Sequence, residues 1–192
     1  MQVTTAIRPL KGESCCGDAA GFWIADSTTI LTVIDGLGHG EHAQTAALAA
    51  MDYVARHLKQ PLPDLFSECS DAIRDTRGVA MAIAAIDEQT GMLTYAGIGN
   101  TRAMVLGERI TRLSSNYGIV GFAYKKLTTE RVQLSNNDLV FMFTDGLKEN
   151  IDVSKYGDLL SIDLELLAGQ ALADCGLPRD DAAILIYRKG VA

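Results

Sequence analysis

Apolar residues along the chain fall into runs of two kinds, and the spacing inside each run predicts the element it forms. Phe22 to Asp26 and Thr29 to Asp35 read as a hairpin. Its second strand carries Ile30, Leu31, Val33 and Ile34 into a glycine-rich loop. From Glu41 to Leu58 the spacing turns helical. Ala43, Ala46, Ala47, Ala50, Met51, Val54 and Leu58 recur every three or four residues, and Pro61 stops the stripe. A second helix is predicted from near Asp64, with Leu65, Phe66, Cys69, Ala72 and Ile73 on one face.

Strand spacing then returns. Val79 to Asp87, Met92 to Ile98 and Arg102 to Leu106 form a meander whose first turn is Glu88-Gln89-Thr90-Gly91. Tyr117 to Lys126 carries glycines and no clear period, which predicts a loop. Arg131 to Leu134 and Leu139 to Thr144 read as strands. Ile162 to Cys175 reads as a helix burying Leu164, Leu167, Ala168, Ala171 and Leu172, ended by Gly176 and Pro178. Ala182 to Tyr187 is the last strand. Strands in runs, interrupted by helices, predict an α+β fold of two mainly antiparallel sheets with helices outside them. A doubly wound parallel sheet would need a more regular alternation.

Composition and charge narrow the function. No repeat, low-complexity tract or linker divides the 192 residues, so one domain over 1–192 with no separate regulatory module is expected. No apolar run approaches the ~20 residues that span a bilayer. Met1 to Lys11 lacks the basic-then-apolar order of a secretory signal, so no membrane association and a cytoplasmic location are expected. A formal charge of −7 argues against nucleic acid as the partner. Cys15, Cys16, Cys69 and Cys175 lack paired C-x-x-C spacing and are expected to be reduced thiols.

The aspartates carry the chemistry. Asp18 follows Gly17 before the first hairpin. Asp35 ends an apolar strand and opens Asp35-Gly36-Leu37-Gly38-His39-Gly40. Asp145 ends another apolar strand and is followed by Gly146, and Asp180 and Asp181 precede the final strand. One Asp-Gly pair is ordinary turn chemistry. Two of them at the ends of buried strands, beside further aspartate loops, point to carboxylates gathered at the rim of the core. Such a cluster holds its protons unless cations neutralise it, and hard divalent ions suit all-oxygen ligands. Glycine after each aspartate allows close backbone approach and leaves a carbonyl as a further ligand.

Taken in order, Gly17-Asp18, Asp35-Gly36-x-Gly-His-Gly, Gly99-Asn100-Thr101-Arg102-Ala103, Thr144-Asp145-Gly146 and Asp180-Asp181-Ala182-Ala183 resemble the motifs of the PPM family. These are metal-dependent serine/threonine protein phosphatases. The bacterial stress-response and sporulation branch is most similar, and the match runs from about Gly17 to Tyr187. The resemblance implies an αββα sandwich with two Mn²⁺ or Mg²⁺ ions in a cleft. Asp18, Asp35 and the Gly36 carbonyl would hold one ion, and Asp35, Asp145 and Asp180 the other. The family's ligand is the first of the final acidic pair, which favours Asp180 over Asp181.

It further implies hydrolysis of phosphoserine or phosphothreonine by a hydroxide bridging the two ions. Asn100 stands where many members have an aspartate that assists a third metal, so two firm sites are expected, with Asn100 a candidate substrate-binding residue. His39 is a candidate general acid, two positions from the histidine some members use. A stand-alone catalytic domain of this size is similar to feedback phosphatases of the stressosome. That implies a monomer acting on phosphorylated stressosome or STAS-type proteins. The alternative is a non-catalytic module that keeps the fold to bind a phosphoprotein.

Overall fold

The computed structural model describes residues 2–159 and 161–190. In chain order the elements are β1 (Gln2–Arg8), β2 (Asp18–Ala25), β3 (Thr28–Gly36), α1 (Glu41–Arg56), α2 (Leu62–Ala72), β4 (Val79–Asp87) and β5 (Met92–Ile98). There follow β6 (Arg102–Leu106), β7 (Ile110–Leu113), β8 (Gly118–Ile119), β9 (Ala123–Tyr124), β10 (Thr129–Gln133), β11 (Leu139–Phe143), α3 (Leu164–Cys175) and β12 (Ala182–Arg188). A 3-10 turn, Val153–Tyr156, precedes α3. One sheet has the order β1-β12-β11-β6-β7 and the other β10-β5-β4-β3-β2, with antiparallel pairing throughout.

Strand parity builds the layers. Along β3, Ile30 and Ile34 pack beneath the helices with Ala46, Ala50, Val54 and Phe66, whereas Leu31 and Val33 point into a core between the sheets. Along β11, Phe141 and Phe143 pack beneath α3 with Leu167 and Ala171, and Val140 and Met142 face the inter-sheet core. Both strands are apolar on both faces because each is covered on both. The result is a four-layer αββα sandwich, as expected.

The sequence pattern missed the two edges of one sheet. β1 is only half-buried along its length and mixes Thr, Gln and Arg with its apolar residues, so no clean alternation announces it. β7 has four residues, of which only Leu113 is buried. The segment predicted as a loop at Tyr117 to Lys126 holds the short β8–β9 pair. Reciprocal backbone bonds of 2.9 Å between Val79 and Val120 anchor it to the sandwich. α3 begins at Leu164, because Asp163 caps it by accepting from the Leu166 amide at 3.0 Å.

At the end of β3 away from Asp35, polar groups tie the two sheets together. Lys189 Nζ donates to the Glu88 carbonyl at 2.7 Å and to Glu88 Oε2 at 3.0 Å. Tyr187 donates to Glu88 Oε1 at 3.0 Å, and Thr29 donates to the same oxygen at 2.6 Å. Burial pushes the Glu88 carboxyl up, but the bonds from Thr29, Lys189 and Tyr187 and the Lys189 charge outweigh it and hold the group below its usual value. Lys189→Met removes the buried cation and leaves Glu88 short of donors. It is expected to lower the unfolding free energy by about 1–3 kcal/mol in urea melts, and Tyr187→Phe by about 1 kcal/mol.

Candidate metal centre

Asp18 opens β2 and Asp35 stands one residue from the end of β3, and the two are direct register partners. Leu31 and Val33 face the inter-sheet core, so Asp35, two residues on, faces the crevice between the sheets. Asp145 follows β11, and Asp180 and Asp181 precede β12. Phe143 and Ile184 are partners across β11–β12, which brings these loops together at the same end of the sandwich. The glycines after the aspartates permit close backbone approach. A Cβ on Gly36 would overlap the Ala43 backbone in α1, and one on Gly146 would overlap the Asp181 carbonyl.

The cluster is electrostatically uncompensated. Burial raises the Asp18 carboxyl to about 7. A Thr144 hydrogen bond partly opposes the rise, and the charges of Asp181, Asp180 and Asp145 add to it. Burial, then the charges of Asp18, Asp145 and Asp180, raise Asp35 to about 8 against a hydrogen bond from Asn100. Asp180 is raised by burial and by Asp145. Asp18 Oδ2 is buried and has no hydrogen-bond partner. An orphaned buried carboxylate oxygen among other carboxylates fits a hard divalent cation. The side chains line a shared space without meeting at one point. Among the described residues no three His, Cys, Asp or Glu side chains form a closed ligand set.

The final acidic pair divides its work by burial. Asp181 is 1% exposed; its two oxygens accept from the Leu10 amide at 2.7 Å and the Gly17 amide at 2.9 Å. It clamps the loop that delivers Asp18, a role the sequence did not suggest. Asp180 is partly exposed, and its Oδ1 accepts from the Asp181 amide at 3.0 Å. The charge of Asp180 is felt at both Asp18 and Asp35, and that of Asp181 at Asp18.

Asn100 Nδ2 donates to Asp145 Oδ2 at 2.6 Å, so this residue joins the aspartates directly. His39 sits between Gly38 and Gly40, both at positive φ, and its Nδ1 pairs with Glu13 Oε1 at 2.9 Å. The His39 side chain is 61% exposed, and its charge is felt at Asp180. Cys16 lies beside the cluster, but burial pushes its thiol up to about 12, which disfavours the thiolate. A groove of about 770 Å³ leads away past Leu37, Asn100, Arg102, Arg112 and Tyr117. Among the described residues no helix is long and apolar enough to cross a membrane.

The family model described as Stage II sporulation protein E (SpoIIE) matches residues 25–189. The phosphoserine phosphatase RsbX of Bacillus subtilis (strain 168) is 27% identical over 140 residues, spanning 71% of this chain and 70% of RsbX. A chain solved in work on the bacterial stressosome superposes with a TM-score of 0.91 at 27% identity, covering 96% of this chain and 97% of that one. RsbX in complex with magnesium superposes with a TM-score of 0.85 at 22% identity over 97% and 94% of the two chains.

A carboxyl group whose folded pKa lies above its unfolded value favours folding only while protonated. Between the ordinary value of 3.8 and the folded values of about 7 and 8, Asp18 and Asp35 thus withdraw stability from metal-free protein as pH rises. Melting temperature in the presence of chelator is expected to fall across that window. The Asp18→Asn/Asp35→Asn double variant should flatten the fall, and added Mg²⁺ should offset it. Asp181→Ala leaves two amides without an acceptor and is expected to cost about 2–4 kcal/mol in urea melts.

Proposed function

The chain belongs to the SpoIIE family, and from that premise we propose that it is a metal-dependent protein phosphatase hydrolysing phosphoserine or phosphothreonine esters on a protein partner. The observation that carries this reading is the gathering of Asp18, Asp35, Asp145 and Asp180 at one end of the sandwich, with a buried Asp18 oxygen lacking any donor. Asp18, Asp35 and the Gly36 carbonyl would hold one Mg²⁺ or Mn²⁺ ion, and Asp35, Asp145 and Asp180 a second. When bound, such ions supply acidity to water and positive charge opposite phosphoryl oxygens.

The chain's own residues then position and move protons. Asp181 fixes the Gly17 amide, and with it the place of Asp18. Asn100 orients Asp145 through its amide and offers a polar edge to the substrate. Glu13 accepts from His39 Nδ1–H, so the imidazolium form carries its second proton on Nε2, from which it can pass to the departing seryl or threonyl oxygen. No cysteine nucleophile takes part.

RsbX is named a phosphoserine phosphatase, and the structure with a TM-score of 0.91 concerns the stressosome. The substrates proposed here are accordingly phosphorylated stressosome or STAS-type proteins. The protein acts on them as a monomeric single catalytic domain in the cytoplasm. A net charge of −7 favours a protein partner over nucleic acid.

The test is incubation of candidate phosphorylated stressosome proteins with and without Mn²⁺, followed by intact-mass measurement and by phosphate release from a small aryl phosphate. Metal-dependent loss of phosphate is expected. Metal binding without turnover on either substrate would favour a non-catalytic phosphoprotein-binding module. Asp35→Ala and Asp145→Ala are each expected to reduce turnover to background while circular dichroism shows the fold retained. A normal rate in either variant would contradict the ligand assignment.

A further inference from the structure

The groove beside the aspartates changes character along its length. At one end Leu37 and Asn100 line it, and Asn100 itself holds Asp145 at 2.6 Å. Farther out its walls are Arg102 on β6 and Arg112 on β7, with Tyr117 at the rim. Arg112 stands opposite Met104 across the β6–β7 pair. Arg102 opens β6 two residues after Asn100, and Met104, the partner of Arg112, follows two residues later, so at about 3.3 Å per extended residue their backbones lie within roughly 7 and 13 Å of that of Asn100. That is the reach of two to four residues of an extended peptide.

Neither guanidinium is saturated. Arg102 Nη1 meets Glu149 Oε1 at 3.1 Å, while Arg102 Nε is buried with no partner. Glu149 is 66% exposed, and an exposed pair of this kind is weak enough for an incoming carboxylate to replace. Arg112 makes one long contact, 3.5 Å from its Nη2 to Asn150 Oδ1. Elsewhere the chain is acidic overall, with a net charge of −7, and repels acidic segments in general. Two arginines against one displaceable carboxylate make the groove a local exception. An arginine fork also matches carboxylate geometry better than a lysine would. Tyr117, 97% exposed, adds an aromatic face for the passing backbone.

We propose that this groove takes the polypeptide flanking the scissile phosphoresidue, and that Arg102 and Arg112 select substrates with an acidic side chain two to four residues from it. The proposal rests on the phosphatase reading above and adds the sequence context of its substrate. Acidic segments would be rejected over most of the surface and accepted in one register.

The full chain with Mn²⁺ is assayed on phosphoserine peptides that carry Glu or Lys in turn at two, three and four residues on each side. Selectivity is read as the Glu-to-Lys ratio of kcat/KM within each protein, so a general loss of activity cancels. A ratio of about tenfold at one or more of these positions is expected for the unaltered protein. It should fall toward one in Arg112→Gln and invert in Arg112→Glu. The same ratio in Arg112→Glu as in the unaltered protein would overturn the proposal. So would turnover of the small aryl phosphate and the peptides with no dependence on flanking charge, which would leave the phosphatase reading standing. No metal-dependent turnover of any of these substrates would instead remove the phosphatase reading, and this inference with it.

Discussion

Carboxylates crowded at the rim of an apolar sandwich repel one another, and the arrangement of the site follows from how that repulsion is managed. Asp18 and Asp35 face each other across β2 and β3, and Asp145 and Asp180 reach toward them from the other sheet. Their mutual charge adds to the penalty of burial, so Asp18 and Asp35 hold protons up to about pH 7 and 8. In the proposed phosphatase, divalent cations take the place of those protons. One set of charges then destabilises the empty site and creates its affinity for metal.

A site of this kind needs a scaffold that does not relax away from the strain. The inter-sheet core of Leu31, Val33, Tyr95, Val140, Met142 and Leu185 supplies stiffness along the strands. Asp181 contributes at the site itself, because its carboxylate binds two backbone amides and holds the Asp18 loop against the other sheet. At the opposite end, Glu88, Lys189 and Tyr187 close the sandwich with opposite charges paired. One end of the molecule is thus balanced in charge and the other is left unbalanced, and the unbalanced end is where chemistry is available.

The groove extends the same division outward. Asn100 belongs both to the aspartate cluster, through Asp145, and to the groove that runs toward Arg112. Negative charge at the sandwich rim suits cation binding, and positive charge on the β6–β7 edge suits an anionic peptide. The separation lets hydrolysis and substrate selection be set by different strands.

Much of the fold could be read from the chain because β3, β4, β11 and β12 are apolar on both faces and α1 carries a clear stripe. Of the strands that escaped, β1 and β7 are edges with one face half-exposed, so their composition resembles a loop, and β8 and β9 have two residues each, too few to show a period. The aspartates were visible as strand-terminal Asp-Gly pairs and as a family-like series of motifs. Their spacing along the chain named the candidates. It could not say that Asp18 and Asp35 are register partners, nor that Asp181 turns inward onto the Leu10 and Gly17 amides while its neighbour Asp180 stays partly exposed. Those outcomes depend on contacts between residues as many as 171 positions apart, which no local pattern encodes. The pairing of Glu13 with His39 and the meeting of Arg102 and Arg112 in one groove are of the same kind. Local chemistry is written residue by residue, whereas shared burial and shared charge exist once the two sheets have closed on each other.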